Sequence, residues 1–308
     1  MPEKPVVSRV VRAVFAGSRP DLPVTLTGMG DGDGWVNCDA GHRHWGRHGA
    51  AGLLLYHLAP EPHVLLQKRA RLSIGGGTWG ILGGARHSHE DAIAGALREA
   101  GEESTLDPSV VRVHGLIGEH HGGWSYETVI ASVAERPDVR RASFETADVA
   151  WVHVDQVPRK RLFPAFADGW SRLRAALVRP VLVVHAAALD GADGPARWRD
   201  RLAALGPIEN LPGTVADLSY PEVVIASADA ALPAGEVDGT GEGTERVAGN
   251  GVRILVLRDG ARDLTRLVAP RAPDEHRVVV TDDPVLRRRA EEAGATVADP
   301  RWLLGLLR

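Results

Sequence analysis

Three glutamates crowd into a short stretch of the chain. Glu99, Glu102 and Glu103 are spaced at i, i+3 and i+4, so on a helix they would share one face. Like charges on one face repel each other unless a positive charge lies among them. Carboxylate oxygens suit a hard divalent cation such as Mg²⁺, which proteins bind through a few carboxylates together with substrate phosphates. The spacing therefore predicts a metal site that serves phosphate chemistry.

The residues around this cluster follow a longer spacing pattern. Five residues separate Gly84 from Glu90, and seven more precede the pair Arg98-Glu99. This stretch resembles the signature of the Nudix hydrolases, G-x5-E-x7-R-E-U-x-E-E-x-G-U, in which U is a bulky apolar residue. Two positions depart from it, because Ala100 is small where U stands and Thr105 replaces the last glycine. Since no carboxylate is missing, we interpret Thr105 as a changed helix exit and not as a lost metal site.

The resemblance implies an α/β class, with an α/β/α sandwich around a mixed sheet, and a Mg²⁺-dependent hydrolase; Mn²⁺ is the alternative ion. The bond cleaved would be a phosphoanhydride in a nucleoside di- or triphosphate derivative. By the family pattern Glu99, Glu102 and Glu103 are metal ligands, and Glu103 or Glu99 also takes a proton from water. Arg98 and Glu90 would form an ion pair that fixes the helix to the preceding loop.

The substrate would lie against the segments that precede the helix. Gly83 and Gly84 let the backbone pass close to a bound phosphate. Lys68 and Arg69 end a predicted strand and could contact phosphates. Trp79 is a candidate for stacking on a base, with core packing as the alternative. The same two interpretations apply to the other aromatic candidates, which are Trp124, Tyr126, Phe163 and Phe166.

Many members of the family add a further carboxylate from a loop before a late strand. Here Asp148, or Glu145 three residues earlier, precedes the apolar run Ala150-Trp151-Val152. Either could act as a general base, and an ordinary solvated loop acid is the alternative for each.

Strands flank the acidic helix on both sides. Alternating and apolar runs predict strands at 49–56, 63–69, 110–118, 124–133 and 149–152, and helical spacing that includes Trp170 predicts a closing helix whose end lies at 173–178. Ser88 is predicted to cap the acidic helix, with Asp91 completing a weak capping box. The order of strand, helix and strands agrees with the sandwich that the resemblance implies.

A length of 308 residues predicts more than one domain. We divide the chain into a lead-in at 1–47, a hydrolase domain at 48–177 and a second open three-layer α/β unit at 180–308. Short β-branched runs at 181–184, 223–226, 252–257 and 278–281 predict parallel strands in that unit, with helices near 197–205, 264–267 and 284–293 between them. The segment 233–250 is predicted to be a polar loop.

The second unit faintly resembles the NYN/PIN-like nucleases, through the opening strand VLVVHAAAL and the closing VVVTDDPVLRRRAEEAGATV. Such nucleases collect acidic residues at strand ends to hold Mg²⁺. Here His185 stands at the leading position, while Asp282 and Asp283 supply one acidic point, with Asp259 and Asp263 less certain in alignment. A role in packing, dimerisation or substrate enclosure is favoured over nuclease activity.

A second polar cluster lies in the lead-in, where Cys38, His42, His44 and His48 fall within a short span. Cysteine and histidine are zinc ligands, but structural zinc sites usually carry more cysteines in paired spacing. Packing or hydrogen-bonding roles are favoured over zinc.

Composition limits the class of protein. The net charge is −4 and the pI about 6.4, so nothing in the overall charge favours a nucleic-acid partner. One cysteine excludes intramolecular disulfides. The absence of a long apolar run or a leader-like start predicts a cytoplasmic protein that does not enter a membrane. Arginine far outnumbers lysine and alanine is abundant, a composition that indicates a high-GC bacterial source. The expected partner is a small nucleotide, with a homodimer left open.

Two rival functions compete with the hydrolase. One is a regulatory protein that binds a nucleotide through the same fold and passes a signal to residues 180–308. The other is a nuclease whose activity resides in that second unit.

Overall fold

The computed structural model of this chain describes residues 30–189, 195–227, 237–238, 244–247, 253–256 and 268–307. The predictions made for residues 1–29, for Asp259 and Asp263 and for a helix at 264–267 lie outside these ranges. Within them, the segment from Asp31 onward forms one compact unit. No helix among the described residues is both long and apolar enough to span a bilayer.

The first half of the chain alternates strands with two helices. Its elements are β1 Trp35–Asn37, β2 Arg43–Trp45, β3 Ala50–His57, β4 His63–Arg69, β5 Trp79–Gly80, β6 Leu82–Ala85, α1 Ala92–Glu103, β7 Arg112–His120, β8 Ser125–Ser132, β9 Thr146–His153 and α2 Pro164–Ala175. The five strands predicted here are confirmed, with shifted ends. The lead-in, whose sequence shows no clear periodicity, holds the antiparallel hairpin β1–β2.

A mixed sheet is the centre of this half. Strand β3 pairs parallel with β8 on one side, and antiparallel with β6 and β4 on the other. Strand β4 also pairs antiparallel with β9, and β7 with β8. Alternate residues of β3 point to opposite faces. Leu53 and Leu55 pack with α1, whereas Leu54 and Tyr56 pack with α2. The predicted Nudix-type α/β/α sandwich with a mixed sheet is confirmed.

Most of the remaining strands build a second sheet. The remaining elements are β10 Arg179–His185, α3 Pro195–Ala203, β11 Ile208–Glu209, β12 Leu218–Ser219, β13 Glu222–Ser227, β14 Val237–Asp238, β15 Thr244–Val247, β16 Arg253–Val256, β17 Glu275–Val280, α4 Pro284–Glu292, β18 Thr296–Ala298 and α5 Pro300–Leu306. The sheet order is β14-β15-β16-β13-β10-β17-β18, and β16, β13, β10, β17 and β18 run parallel. Strands β14 and β15 lie inside the segment predicted to be a polar loop. A nuclease-like assignment and a domain boundary near 177–180 stay predictions.

Strands β11 and β12 do not join this second sheet. Strand β12 pairs with β7, so a segment of the C-terminal half extends the first sheet. Asp217 reinforces the connection by accepting from the Gly118 backbone at 2.8 Å and from the Arg172 guanidinium at 2.7 Å. These contacts attach the C-terminal half to the edge of the first sheet that lies farthest from β5.

A buried histidine on β7 should make the fold sensitive to acid. His114 lies 2.7 Å from the Ser132 hydroxyl, and burial, with the nearby Arg179 and Arg112 charges, lowers its pKa to about 3. The unfolded chain, with a histidine pKa near 6.5, therefore binds a proton first as the pH falls. Stability is fully present above about pH 6.5 and is lost progressively between there and about pH 3.

Between pH 8 and pH 5, protonation of His114 in the unfolded chain should lower the free energy of unfolding by on the order of 2 kcal/mol. Urea unfolding at both pH values measures it, in wild type and in His114→Phe, which cannot titrate. The variant should lose less stability than wild type over that interval. Equal losses would refute the assignment.

Candidate active site

Helix α1 carries the acidic cluster and begins where Asp91 caps it. The Asp91 Oδ1 accepts from the Ala94 backbone N–H at 2.8 Å. The predicted cap, Ser88, is wrong. The hydroxyl of Ser88 donates to Asp31, and its backbone N–H donates to the same carboxylate at 3.0 Å. Glu90, just before the cap, accepts from the His87 backbone N–H at 3.0 Å.

At the exit of the helix, Thr105 stands where the family signature has glycine. Ser104 leaves the helix in an extended conformation with φ −145°, so no left-handed residue is needed there. Thr105 instead pairs with Arg140, donating its N–H to the Arg140 carbonyl at 2.8 Å and accepting from the Arg140 N–H at 2.9 Å. The carboxylates one turn earlier keep their place on the helix.

Arg98 lies at the centre of the cluster. Its guanidinium donates to both oxygens of Glu90, at 2.7 and 3.1 Å, and to one oxygen each of Glu99 and Glu102, at 3.0 Å. A further donation reaches the Ala85 carbonyl at 2.8 Å, on the strand before the helix. Arg98 thus ties the helix to the end of β6 and contacts three carboxylates.

Glu103 is held from the sheet side. One oxygen, Oε2, accepts from the Gln67 side chain at 2.7 Å and from the Gly83 N–H at 2.9 Å. Gln67 is fully buried on β4, and its own oxygen accepts from the Thr146 hydroxyl at 2.9 Å. The Gln67 amide nitrogen also donates to the Ile81 carbonyl at 3.2 Å. Because its nitrogen donates to two acceptors and its oxygen accepts from Thr146, the amide has one orientation, which fixes the position of Glu103.

Burial controls the charge of two carboxyls. Burial raises the pKa of Glu99 to about 7, with Arg98 acting against the shift and the Glu103 charge adding to it. Burial likewise raises the pKa of Glu103 to about 7, although the Gln67 and Gly83 bonds act against it. Burial also acts on Glu90, but the Arg98 hydrogen bonds outweigh it and lower the pKa of that carboxyl. Glu99 and Glu103 thus lie together with too little positive charge for both to ionise easily at pH 7.

This pair fits a divalent cation. Hard oxygen donors on one helix face are the ligands that Mg²⁺ or Mn²⁺ accepts, and a cation between them would favour the ionised form of both carboxyls. Glu102 adds a third carboxylate whose side chain is 60% exposed, so it can turn towards a ligand from solvent. The residues present therefore fit the metal that the signature implies.

The glycines before the helix leave room for these carboxylates. A Cβ on Gly84 would lie 2.6 Å from the carboxyl carbon of Glu99, closer than real Cβ contacts come. Gly83 has φ +157° and a Cβ there would lie 2.4 Å from the Ala51 carbonyl oxygen. Gly84 is therefore required by the packing of the cluster, and Gly83 by its close pairing with β3, in addition to the predicted approach of a phosphate.

The other predicted substrate contacts lie along β4 and its neighbours. Lys68 pairs in register with Trp79 on one side and with Asp148 on the other. Lys160 lies over the Trp79 ring, with its Nζ 4.5 Å from the ring centroid. Arg69 donates through Nε to the Ile74 carbonyl at 2.5 Å, and its charge acts on the pKa of Glu103. Arg69 is thus the nearer of the two basic residues to the cluster by its effect on that carboxyl.

Of the two late carboxylates, Glu145 lies close to the cluster. Its charge raises the pKa of Glu103, and Ala70 donates its N–H to the Glu145 carbonyl at 2.7 Å. The predicted position of Asp148 in a loop is wrong, because β9 begins at Thr146 and contains it. The Asp148 Oδ1 accepts from the N–H of Val149 at 2.9 Å. Pairing with β4 lengthens this strand beyond its apolar run.

Two residues of the site were not predicted as such. Gln67 has a sequence signal, since it interrupts an apolar strand with a buried amide. Tyr126, considered only for base stacking, lies near the cluster. Burial raises the pKa of its hydroxyl, and the Glu103, Glu119 and Glu99 charges act on it as well. Its phenol is therefore a neutral hydrogen-bond donor beside the carboxylates.

Asp283, one of the two acidic residues that follow β17, caps a helix of the second sheet's layer. The helix is α4, where the Asp283 Oδ1 accepts from the Val285 and Leu286 N–H groups, both at 2.8 Å. His185 lies 3.1 Å from the Thr281 hydroxyl at the ends of the neighbouring strands β10 and β17. A nuclease function for this half stays a prediction.

Comparison with known proteins gives three matches to the first half. A profile described as the NUDIX domain matches residues 46–172. The chain is 44% identical over 155 residues to "Putative 8-oxo-dGTP diphosphatase 3" of Mycobacterium tuberculosis (strain H37Rv), covering 48% of this chain and 71% of that protein. It is also similar to the "Crystal structure of a Nudix Hydrolase from M. Smegmatis, RenU", with 43% identity, a TM-score of 0.44, and coverage of 46% of this chain and 93% of that one.

A longer relative also matches. A "Nucleoside triphosphate pyrophosphatase/Nudix hydrolase fusion protein" of Bifidobacterium longum is 42% identical over 154 residues, which is 47% of this chain. The match spans 32% of that fusion protein, about a third of its length.

Proposed function

Because this chain belongs to the Nudix hydrolase family, we propose that its α1 cluster performs a Mg²⁺-dependent cleavage of a phosphoanhydride bond in a nucleoside di- or triphosphate derivative. The observation that carries the proposal is the geometry of Glu99, Glu102 and Glu103 around Arg98. Two of these carboxyls are buried together with raised pKa values, which is the arrangement that a divalent cation stabilises.

The metal would be held by Glu99, Glu102 and Glu103. When bound, Mg²⁺ supplies positive charge that neutralises phosphate oxygens and makes attack by water easier. The protein holds these ligands in place through Arg98 and Gln67. Such positioning matters because metal chemistry loses rate when its ligands move.

The substrate's phosphate chain would lie between the glycine segment and the basic end of β4. Gly83 and Gly84 allow close approach of the backbone, while Lys68 and Arg69 offer cationic contacts. Trp79 lies beside Lys68 in the strand register and presents an aromatic ring for a base. These contacts would set the binding affinity, while the carboxylates set the rate.

For the proton of the attacking water, the cluster offers Glu99 and Glu103. Glu145 is the better candidate for an additional base than Asp148, since its charge already acts on Glu103. A bound cation would favour the ionised form of Glu99 and Glu103, and the ionised carboxylate is the form that accepts a proton.

We propose nucleoside triphosphates as the substrate class, with an oxidised guanine nucleotide as the first to test. The relatives named as an 8-oxo-dGTP diphosphatase and as a nucleoside triphosphate pyrophosphatase fusion support this class. The cytoplasm, where free nucleotides are found, is the proposed location.

A substrate panel tests the function. The full-length protein is incubated with Mg²⁺ and with 8-oxo-dGTP, dGTP, a dinucleoside polyphosphate and ADP-ribose, and products are identified by mass. Reaction in ¹⁸O water shows which phosphorus is attacked. We expect rapid turnover of at least one triphosphate with release of pyrophosphate or phosphate. Tight binding of a nucleotide without any product would instead favour the regulatory function.

A further inference from the structure

A separate cluster of soft ligands lies in the hairpin β1–β2, away from the acidic helix in sequence. Cys38, His42 and His44 each place one ligand atom so that all three atoms lie within 4.8 Å of one another. Cys38 is buried and its thiol is free, whereas His42 is exposed. His48, which the sequence grouped with these residues, is outside the cluster.

The hairpin turn creates this proximity. The Cys38 N–H donates to the His42 carbonyl at 2.9 Å, and the Gly41 N–H donates to the Cys38 carbonyl at 2.8 Å. Gly41 has φ +79°, a left-handed conformation that glycine adopts without strain. The chain therefore folds back within four residues, and His42 returns to the side of Cys38.

His44, the third member of the cluster, has a ring nitrogen that makes no hydrogen bond within the described part of the chain. This nitrogen, Nε2, is buried. The ring is fixed by stacking on Trp124, with centroids 4.1 Å apart and planes 14° from parallel. His121 also contacts this ring, with ring centroids 4.8 Å apart, and its own ring lies 5.9 Å from that of Trp124. A buried imidazole nitrogen without a partner is costly, and a metal ion would satisfy it.

We propose that Cys38, His42 and His44 bind a zinc ion. One thiolate and two imidazoles suit Zn²⁺ and not Mg²⁺, which prefers oxygen ligands. Ligand atoms around a tetrahedral zinc lie about 3.3–3.7 Å apart, given Zn–N and Zn–S bonds of about 2.0 and 2.3 Å. The ligand atoms already lie within 4.8 Å of one another, so each separation needs to shorten by at most about 1.5 Å, and rotation of the exposed His42 side chain can contribute to this. The fourth position is left for water or for His121.

The ion would clamp the hairpin onto the turn between β7 and β8. That contact already exists, because the Asp39 N–H donates to the Gly122 carbonyl at 3.0 Å and the Trp124 indole N–H donates to the Gly46 carbonyl at 3.0 Å. Zinc at His44 would tie the ring that stacks on Trp124 to the turn that carries Cys38. The site is built from residues outside the acidic cluster, so its role is structural and separate from the hydrolysis proposed for α1.

Zinc content tests the site directly. The untagged full-length protein is loaded with zinc, freed of excess ion by gel filtration and measured by mass spectrometry of the metal. We expect about one zinc per chain in wild type, in His48→Asn and in Glu103→Gln. Cys38→Ser and His42→Asn should lose it. His42 is exposed, so its variant keeps the test valid if Cys38→Ser does not fold.

Cobalt identifies the thiolate ligand. The Co²⁺-loaded wild type should show the charge-transfer absorption of a cobalt–thiolate bond, and Cys38→Ser and His42→Asn should lack or weaken it. A wild type without bound zinc would overturn the proposal. Zinc retained in both Cys38→Ser and His42→Asn, or lost in Glu103→Gln, would overturn it as well, because the ion would then reside elsewhere.

Discussion

Replacing Glu103 with glutamine should lower kcat with Mg²⁺ by roughly 10²–10³-fold while the protein stays folded. Both hydrogen bonds to this side chain, from Gln67 and Gly83, reach the same oxygen. An amide oxygen can accept both, so the substitution removes the charge and keeps the local structure. Loss of one anionic ligand should cost a few kcal/mol of transition-state stabilisation, and each 1.36 kcal/mol is about tenfold in rate.

Glu135→Gln is the matched control, since Glu135 is exposed in a loop before β9. It should turn over like wild type. Initial rates with the best substrate of the panel, at saturating Mg²⁺, measure both variants, and urea unfolding checks that each is folded. Wild-type kcat in Glu103→Gln would remove this glutamate from the metal site.

Adding a single methyl group at Gly84 should lower kcat/KM by about 10²-fold. The Cβ would lie 2.6 Å from the Glu99 carboxyl carbon, so the carboxylate must move from its position beside Arg98. Displacement of a catalytic group by about 1 Å can cost about 10²-fold in rate. Gly84→Ala thus tests the position of Glu99 without changing its charge.

Gly101→Ala, in helix α1, is the control. A Cβ there meets only the Pro108 side chain at 3.7 Å, an ordinary contact. Alanine should therefore leave activity unchanged and stabilise the helix by about 0.5–1 kcal/mol. Steady-state kinetics and thermal unfolding of both variants distinguish the two glycines. If Gly84→Ala behaves like Gly101→Ala, the close packing of Glu99 against the glycine segment does not matter for turnover.

The sequence was sufficient for the elements that hold the acidic helix. Apolar periodicity gives β3 and β4 almost to their ends, because buried strands require continuous apolar runs. The spacing of Arg98 and Glu102 gives their contact, since residues four apart meet on a helix. Local pattern thus determines both the scaffold and the centre of the site.

Contacts between segments that are distant in sequence could not be predicted from these local patterns. The Gln67 amide reaches Glu103 only because β4 lies under α1, and Glu145 approaches the cluster only because β9 pairs with β4. The choice of Asp91 over Ser88 as the helix cap depends on Asp31, which binds Ser88 from a distant loop. No local propensity encodes these pairings.

In the C-terminal half, the sequence likewise could not predict which sheet two short strands join. Strands β11 and β12 are two residues long each, too short to leave a periodic signal. Their pairing with β7 carries a segment from beyond residue 180 into the first sheet. Cys38 and His42 likewise meet through a tight turn that the sequence alone did not reveal.

Crystals grown with Mn²⁺ and a non-hydrolysable triphosphate analogue give the most direct measurement of the central claim. An anomalous difference map locates the ion without reference to the protein coordinates. We predict a manganese peak within about 2.0–2.3 Å of oxygens from Glu99 and Glu103, adjacent to the analogue's phosphates. A map in which the analogue is bound, yet the manganese lies elsewhere and these carboxylates contact no ion, would contradict the account.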